Sequence, residues 1–242
     1  MIGVFDSGFG GYYTLGLLRE KFPDFDYIFY ADTKNIPYGE KSPEEIKKYT
    51  FAGLDFLFDK GVAIVILACN TASAYAIRDW QAKYPDKKVL SVTIPGVEAM
   101  LGKGYKNVGV FATNATVKSE IFPKKFHEIK EFEELDIHQV GCPNLVTIVE
   151  DKELNEDYIN SEILNYLASI SSNNLDALVL GCTHFPLLKS HIEKHFYGDI
   201  IDPSHEAVIA LEKYFEKHRD IYESIGKNGR IEIYTTGENK FN

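Results

Sequence analysis

The sequence predicts an α/β protein of two pseudo-symmetric α/β domains, with mostly parallel sheets and the active site in the cleft between the domains. Short runs rich in Val, Ile, Phe and Leu alternate with longer amphipathic stretches, which is typical of strands that alternate with helices in parallel sheets. Similar runs recur in the second half of the chain. With 242 residues, the chain is long enough for two small domains that each bury a hydrophobic core.

Seven runs are predicted to be strands, with helical patterns between them. These runs are residues 2–5, 26–31, 62–68, 88–92, 107–112, 134–140 and 176–181. One helix has a clear start, because Ser42 suits the cap position, Pro43 the first turn, and Glu45 completes a capping box. We expect this helix to run to about Lys60, with Gly61 ending it.

Two pairs of segments repeat along the chain. IGVFDS at 2–7 is matched by VGVFAT at 108–113, and VILACNT at 65–71 is matched by LVLGCTH at 178–184. The offsets of 106 and 113 residues are similar, and the segments follow the same order in both halves. The repeat therefore favours two related α/β halves, each with a Cys where a buried strand ends.

The repeat leads to a prediction of domain limits. We expect a first domain of residues 1–92 plus 208–242, completed by the C-terminal strand and helix, and a second domain of residues 93–207 inserted between them. Ligands of open α/β sheets bind outside the carboxyl ends of the strands. If the two halves face each other, the cysteines at their strand ends also face each other.

The overall composition excludes several classes of function. Lys and Arg number 26 against 36 Asp and Glu, a net charge of -10, which argues against a nucleic-acid-binding surface. No uninterrupted apolar run approaches the roughly 20 residues that span a bilayer, and the N-terminus lacks the pattern of a signal peptide. We expect a cytoplasmic protein that acts on a small molecule, with no nucleic-acid or membrane partner.

The three cysteines are predicted to have two different roles. Cys69, Cys142 and Cys182 are odd in number and lack CxxC spacing, which disfavours a disulfide framework and a zinc site. Cys69 and Cys182 each open a predicted helix, where the helix dipole favours a thiolate by up to about 2 kcal/mol, while burial has the opposite effect. We interpret Cys142 as a small buried hydrophobic residue.

A thiol that acts as an acid or base in such a position needs a neighbouring group that accepts or donates its proton. Asp6 follows the first strand and His184 comes two residues after Cys182, and Glu150 is a third candidate. No metal site is predicted, because Cys182 and His184 supply at most half of a ligand set.

The glycines after Asp6 resemble a phosphate-binding loop only in part. Gly8-Phe9-Gly10-Gly11-Tyr12-Tyr13 does not fit GxGxxG, and no Gly-Lys-Ser/Thr motif is present. Asp32, at the end of the second predicted strand, keeps a dinucleotide-binding alternative open.

Taken together, the motifs resemble those of the glutamate racemases of the aspartate/glutamate racemase superfamily, in the same order over nearly the whole chain. The segments are Asp6-Ser7-Gly8 with Gly10-Gly11, ADTKNIPYGEKS at 31–42, ACNTAS at 68–73, Cys142-Pro143 to Glu150, LGCTHFPLL at 180–188 and Ile201-Asp202. The resemblance implies cofactor-independent interconversion of L- and D-glutamate, which supplies D-glutamate for peptidoglycan synthesis. It also implies a possible homodimer.

The resemblance also implies a role for each matched residue. Cys69 would remove the α-proton of D-glutamate and Cys182 that of L-glutamate, each returning a proton in the opposite direction. Asp6, Glu150 and His184 match auxiliary acid–base positions, with Asp6 expected near Cys69 and His184 near Cys182. Positions that match substrate-binding residues are Asp6, Ser7, Pro37, Tyr38, Gly39, Asn70, Thr71, Thr113, Thr116, Thr183 and His184. In one departure from the family, Tyr12-Tyr13 replace a smaller Leu-Thr pair, which predicts a bulkier wall near the site.

Other functions fit the same residues. A racemase for aspartate or another amino acid would use the same two thiols. A cysteine-nucleophile isomerase of the same superfamily would work with His184 and form a covalent adduct. A ligand-binding or thiol redox module would oxidise Cys69 and Cys182 reversibly without isomerising any amino acid.

Overall fold

The computed structural model describes residues 1–130, 134–151, 155–170 and 174–237. Within these ranges the chain forms nine strands. They are β1 (Ile2–Asp6), β2 (Tyr27–Ala31), β3 (Ile64–Leu67), β4 (Val89–Ser91), β5 (Asn107–Ala112), β6 (Asp136–Gly141), β7 (Ala177–Gly181), β8 (Asp199–Ile201) and β9 (Ile231–Thr235). Each of the seven predicted runs overlaps one of these strands, whereas β8 was not predicted.

The strands form two parallel sheets. The first sheet has the order β4-β3-β1-β2-β9 and the second the order β6-β5-β7-β8, and every neighbouring pair of strands is parallel. The predicted α/β fold class with mostly parallel sheets is therefore confirmed.

The internal repeat corresponds to a repeat in topology. Replacing β1, β2, β3 and β4 by β5, β6, β7 and β8 converts the order β4-β3-β1-β2 into β8-β7-β5-β6, which is the second sheet read from its other edge. The register agrees as well, because Phe5 pairs with Leu67 in the first sheet and Phe111 with Leu180 in the second. The two halves are thus related by pseudo-symmetry, with β9 as an addition to the first.

Helices connect the strands, as parallel pairing requires. They are α1 (Gly11–Lys21), α2 (Pro43–Asp59), α3 (Asn70–Lys83), α4 (Thr93–Glu98), α5 (Asn114–Ser119), α6 (Ile121–Ile129), α7 (Pro143–Glu150), α8 (Glu156–Ile170), α9 (Lys189–Ile192), α10 (Pro203–Lys217) and α11 (Arg219–Ser224). Short 3₁₀ segments lie at Thr33–Asn35, Tyr38–Glu40 and Phe185–Leu188.

Helix α2 begins as its sequence predicts. The Glu45 N–H donates to the Ser42 hydroxyl at 3.2 Å, and the Glu45 carboxylate accepts from the Ser42 N–H at 3.1 Å. The capping box is therefore formed on both sides. The helix ends at Asp59, and Gly61 follows with a φ of 80°, a left-handed conformation that Gly adopts without strain.

Helix α10 spans the predicted domain limit between residues 207 and 208. It packs Ala207, Val208, Leu211 and Phe215 into the hydrophobic core on one face of the first sheet, and it contacts α1 and α4. The domain limits stay predictions, and residues 238–242 of the predicted first domain lie outside the described residues. In the described part of the chain, no helix is both long and apolar enough to cross a membrane.

The Asp26 carboxylate ties the segment before β9 to the rest of the first sheet. Its side chain is 1% exposed, and it accepts hydrogen bonds from the Asn228 N–H and side-chain amide and from the Arg230 N–H and guanidinium. Burial alone would raise the pKa of Asp26, but these hydrogen bonds hold it well below its usual range.

Asp26→Asn is expected to lower the free energy of unfolding by about 2–4 kcal/mol, because four donors lose a buried, charged acceptor. The folded-state pKa lies below the unfolded one, so this stabilisation is present at neutral pH and shrinks as the pH falls below about 4. Urea unfolding at pH 7 and pH 3 measures both effects. Asp24→Asn, at an exposed neighbouring carboxylate, is the matched control and should change the free energy by less than about 0.5 kcal/mol. Equal effects of the two variants would contradict the assignment.

Candidate active site

A cavity of about 550 Å³ lies at the carboxyl ends of strands from both sheets. Its walls come from the segments that follow β1, β2 and β3 in the first half and β5, β6 and β7 in the second. The lining residues are Ser7, Gly8, Ile36, Pro37, Tyr38, Gly39, Glu40, Cys69, Asn70, Thr71, Thr113, Asn114, Pro143, Val146, Thr147, Glu150, Cys182, Thr183 and His184. This is the location that open parallel sheets favour for a ligand.

The cavity brings together most of the residues that the sequence singled out. Two of the predicted site residues, Asp6 and Thr116, do not line the cavity, because both are fully buried behind its wall. Other lining residues had not been singled out individually: Gly8, Ile36, Glu40, Asn114, Pro143, Val146 and Thr147. Most of these lie inside the quoted motifs, and Asn114 directly follows Thr113. Proximity to a motif in the sequence could therefore have identified them as lining residues.

Cys69 caps the N-terminus of α3 and is buried. Its Sγ accepts the Ala72 N–H at 3.3 Å and lies 3.2 Å from the Ser7 Oγ. Burial and then the nearby Asp6 carboxylate raise the pKa of the Cys69 thiol to about 12, against the opposing effect of the Ser7 and Ala72 hydrogen bonds. At this Cys, burial therefore outweighs the helix dipole, and the free protein holds a thiol.

Cys182 has a different set of neighbours. Its Sγ lies 3.7 Å from the His184 Nδ1, and the His184 Nε2 lies 3.1 Å from a Glu150 carboxylate oxygen. Burial would lower the pKa of His184, but the contacts with Cys182 and Glu150 outweigh it and raise the pKa to about 10. His184 is therefore an imidazolium at neutral pH, placed between a sulfur and a carboxylate.

Asp6 connects the first half to the second. Its carboxylate accepts the Gly8 N–H at 3.0 Å and the Thr183 hydroxyl at 3.4 Å. Burial raises the pKa of Asp6 and outweighs the opposing effects of the His184 charge and of the hydrogen bonds. Asp6 thus acts on the Cys69 thiol by its charge while holding Thr183, the residue next to Cys182.

Several polar contacts join the two halves beside the cavity. Thr71 of α3 lies 2.8 Å from Thr113 and 2.9 Å from Thr116, measured between hydroxyl oxygens. The Asn114 side-chain amide donates to the Glu40 carboxylate at 2.9 Å. The cavity wall is therefore continuous across the cleft.

Two glycines allow the halves to approach closely. A Cβ at Gly10 would lie 2.4 Å from the Thr183 Oγ1 and 2.8 Å from the His184 Nδ1. A Cβ at Gly39 would lie 2.9 Å from the Thr113 Cβ. Neither position has room for a Cβ unless the opposing side chains of the other half shift.

The aromatic and acidic residues near the second strand have structural roles. The Tyr38 hydroxyl donates to Asp32 at 2.7 Å, so Tyr38 offers the cavity its ring and backbone. Asp32 also accepts from the Asn35 amide and from the Thr236 hydroxyl. These hydrogen bonds already occupy the Asp32 carboxylate, which argues against the dinucleotide-binding alternative.

The bulkier wall predicted from Tyr12-Tyr13 was wrong, because neither residue lines the cavity. The Tyr13 hydroxyl donates to Asp202 at 2.7 Å, and the Tyr12 ring packs edge-on against Phe29. The contacts of both side chains with Asp202 and Phe29 thus lie outside the cavity lining. Among the described residues, no group of three or more His, Cys, Asp or Glu side chains is arranged to hold a metal ion.

Comparison with known proteins agrees with this geometry. Residues 16–211 match the Asp/Glu/hydantoin racemase family. The glutamate racemase of Aquifex aeolicus (strain VF5) is 35% identical over 237 residues, which cover 97% of this chain and 88% of that protein. The crystal structure of glutamate racemase from Francisella tularensis in complex with D-glutamate superposes with a TM-score of 0.90 at 31% identity, covering 99% of this chain and 89% of that one. A glutamate racemase isoform from Bacillus anthracis gives a TM-score of 0.89 at 30% identity, with 98% and 89% covered.

Proposed function

This chain belongs to the Asp/Glu/hydantoin racemase family, and from that premise we propose that it interconverts L- and D-glutamate by moving the α-proton between Cys69 and Cys182. One observation carries the mechanism: equivalent strand ends of the two halves each place a thiol in one cavity. Inverting an α-carbon needs one group that removes a proton and another that delivers one to the opposite face.

The two thiols have environments that suit opposite starting states. The raised pKa of Cys69 keeps it a thiol, whereas the Cys182 sulfur lies 3.7 Å from the positively charged His184 ring. In the direction from L to D, Cys182 takes the α-proton and the Cys69 S–H proton goes to the α-carbon. The products are D-glutamate, a Cys182 thiol and a Cys69 thiolate, and the reverse reaction begins from that state.

The residues that line the cavity include no Arg or Lys, but they offer other groups that bind an anionic substrate. The hydroxyls of Ser7, Thr71 and Thr113, the Asn70 amide and the N-terminus of α3 are available to bind carboxylates. Fixed dipoles along the cavity wall would also stabilise the carbanion-like transition state. By family resemblance, we propose that the reaction is cofactor-independent.

The rival functions are less well supported. Relatives named glutamate racemase align over nearly the whole chain, which favours glutamate over aspartate. A single-nucleophile isomerase leaves the second thiol without a role, and a redox module leaves the His184–Glu150 pair without one. By family resemblance, we propose that the protein acts in the cytoplasm as a homodimer and supplies D-glutamate for peptidoglycan.

Circular dichroism of L- and D-glutamate with purified protein and no added cofactor tests this function. We expect both enantiomers to lose optical activity and to reach the same racemic mixture. Activity on aspartate alone would move the substrate while keeping the mechanism, and no change with any amino acid would overturn the proposal. A covalent adduct detected by mass spectrometry would favour the nucleophile alternative.

Gly10→Ala is expected to lower kcat/KM for glutamate by about 100-fold, because the added Cβ would push Thr183 and His184 out of place. Gly10 has ordinary helical dihedral angles, with φ -58° and ψ -34°, so the substitution itself strains no backbone. Gly16→Ala on α1, where a Cβ meets nothing within 4 Å, is the matched control and should keep the parent rate. A Gly10→Ala protein with the parent kcat/KM would show that the close approach is not needed.

A further inference from the structure

Three threonine hydroxyls form a cluster between the two halves, which we call the threonine cluster: Thr71, Thr113 and Thr116. The oxygens of Thr71 and Thr113 are 2.8 Å apart, and each lies 2.9 Å from the oxygen of Thr116. Thr71 belongs to α3 of the first half, whereas Thr113 caps α5 of the second half and Thr116 lies in its first turn.

The three members differ in their access to the cavity. Thr71 and Thr113 line it, but Thr116 is fully buried and does not. The resemblance to the family places all three among the substrate-binding positions. The geometry gives Thr116 a different place, because its hydroxyl faces the other two hydroxyls from behind the wall.

Counting donors shows what the hidden hydroxyl contributes. Each Thr hydroxyl has one O–H and two lone pairs. The Thr113 oxygen already accepts the Thr116 N–H at 3.2 Å. To bind one carboxylate together, Thr71 and Thr113 must both direct their O–H groups into the cavity. No hydrogen atom then lies between their two oxygens, which are 2.8 Å apart.

We propose that Thr116 is a positioning residue whose hydroxyl donates to the Thr71–Thr113 pair, so that both cavity-lining O–H groups are free to bind one carboxylate of the substrate. The Thr116 oxygen is equally distant from its two partners, so its single O–H reaches either oxygen or is shared between them. This inference rests on the proposed function, since the ligand is the glutamate carboxylate.

Removing the Thr116 hydroxyl removes one of the three O–H donors of the threonine cluster. In Thr116→Val the pair keeps one O–H between its own two oxygens, which leaves a single O–H for the carboxylate. The expected loss is one hydrogen bond to a charged group, a roughly 10- to 100-fold weaker binding of glutamate. The thiols and their neighbours are untouched, so the change falls on KM with kcat within about threefold of the parent.

The experiment compares Thr116→Val with Thr116→Ser, which restores the hydroxyl, and with Thr50→Val as the control. Thr50 is a buried Thr of α2 whose hydroxyl donates to the Ile46 carbonyl at 2.7 Å, outside the cavity lining. Racemisation is followed at varied glutamate concentration, and Kd for D-glutamate is measured by calorimetry. We expect raised KM and Kd for Thr116→Val, with values within about twofold of the parent for Thr116→Ser and Thr50→Val.

The outcomes separate this inference from the proposed function. If the parent racemises glutamate and Thr116→Val keeps the parent KM and Kd, the positioning role is overturned and the racemase function stands. A kcat loss without a KM change, or a loss that Thr116→Ser does not restore, also overturns it, because each points to packing. If the parent binds D-glutamate without racemising it, the proposed function fails, and the calorimetric comparison still decides the role of Thr116.

Discussion

Cys69→Ser and Cys182→Ser are each expected to reduce the racemisation rate of glutamate by at least about 10³-fold. A Ser hydroxyl is a far weaker acid than a thiol, so it neither delivers nor removes the α-proton at a useful rate. Both thiols line one cavity, and each full inversion needs both of them. Circular dichroism of either enantiomer measures the loss.

Each variant keeps one working thiol, and exchange of the α-proton with D₂O shows which one. Cys69→Ser should still exchange the α-proton of L-glutamate through Cys182, and Cys182→Ser that of D-glutamate through Cys69. Cys142→Ala is the control, because Cys142 is buried in the core outside the cavity lining, and it should racemise at the parent rate. A single Ser variant with parent activity would contradict the two-thiol mechanism.

His184→Asn is expected to give the second largest effect, a loss of about 10²- to 10³-fold in kcat/KM, because the positive charge beside the Cys182 sulfur is removed from the proton-transfer site. L- and D-glutamate have equal free energy, so kcat/KM must fall by the same factor in both directions. The two directions should differ in the kinetic isotope effect of α-deuterium. Proton removal by Cys182 becomes slower, so this isotope effect grows for L-glutamate. An isotope effect that grows for D-glutamate alone would reverse the assignment of the two faces.

The pH profile provides an independent check on the same pair. The parent needs His184 protonated, so the rate should fall as the pH rises through its pKa of about 10. Glu150→Gln removes one of the contacts that raise this pKa. The alkaline limb of kcat/KM should therefore move to lower pH in that variant, and an unchanged limb would exclude the Glu150–His184 pair as its origin.

Much of the fold could be predicted because each strand carries its own signal. Buried parallel strands are short apolar runs, and the paired repeats place a Cys at the end of β3 and of β7. Strand β8 was missed because it has three residues, Asp199–Ile201, and only its two Ile residues are apolar. So short a run does not stand out from the surrounding loops.

The site was predictable in its residue types and less so in its electrostatics. The sequence placed Cys69 at a helix start, where the dipole lowers a thiol pKa, but the extent of burial and the approach of Asp6 depend on the tertiary structure. The hidden position of Thr116 has the same origin. It lies three residues after Thr113 on α5, and only the packing of α5 against α3 decides which hydroxyl reaches the cavity.

The central claim is that two different groups act on opposite faces of the α-carbon, and racemisation of unlabelled L-glutamate in D₂O by the parent protein tests it most directly. In the first few per cent of conversion, we expect D-glutamate that carries a solvent deuteron at the α-carbon, together with remaining L-glutamate that carries almost none. Cys182 then holds the proton it removed while Cys69 supplies the deuteron. D-Glutamate that retains the original α-proton would mean that one group serves both faces, and the two-thiol account would be wrong.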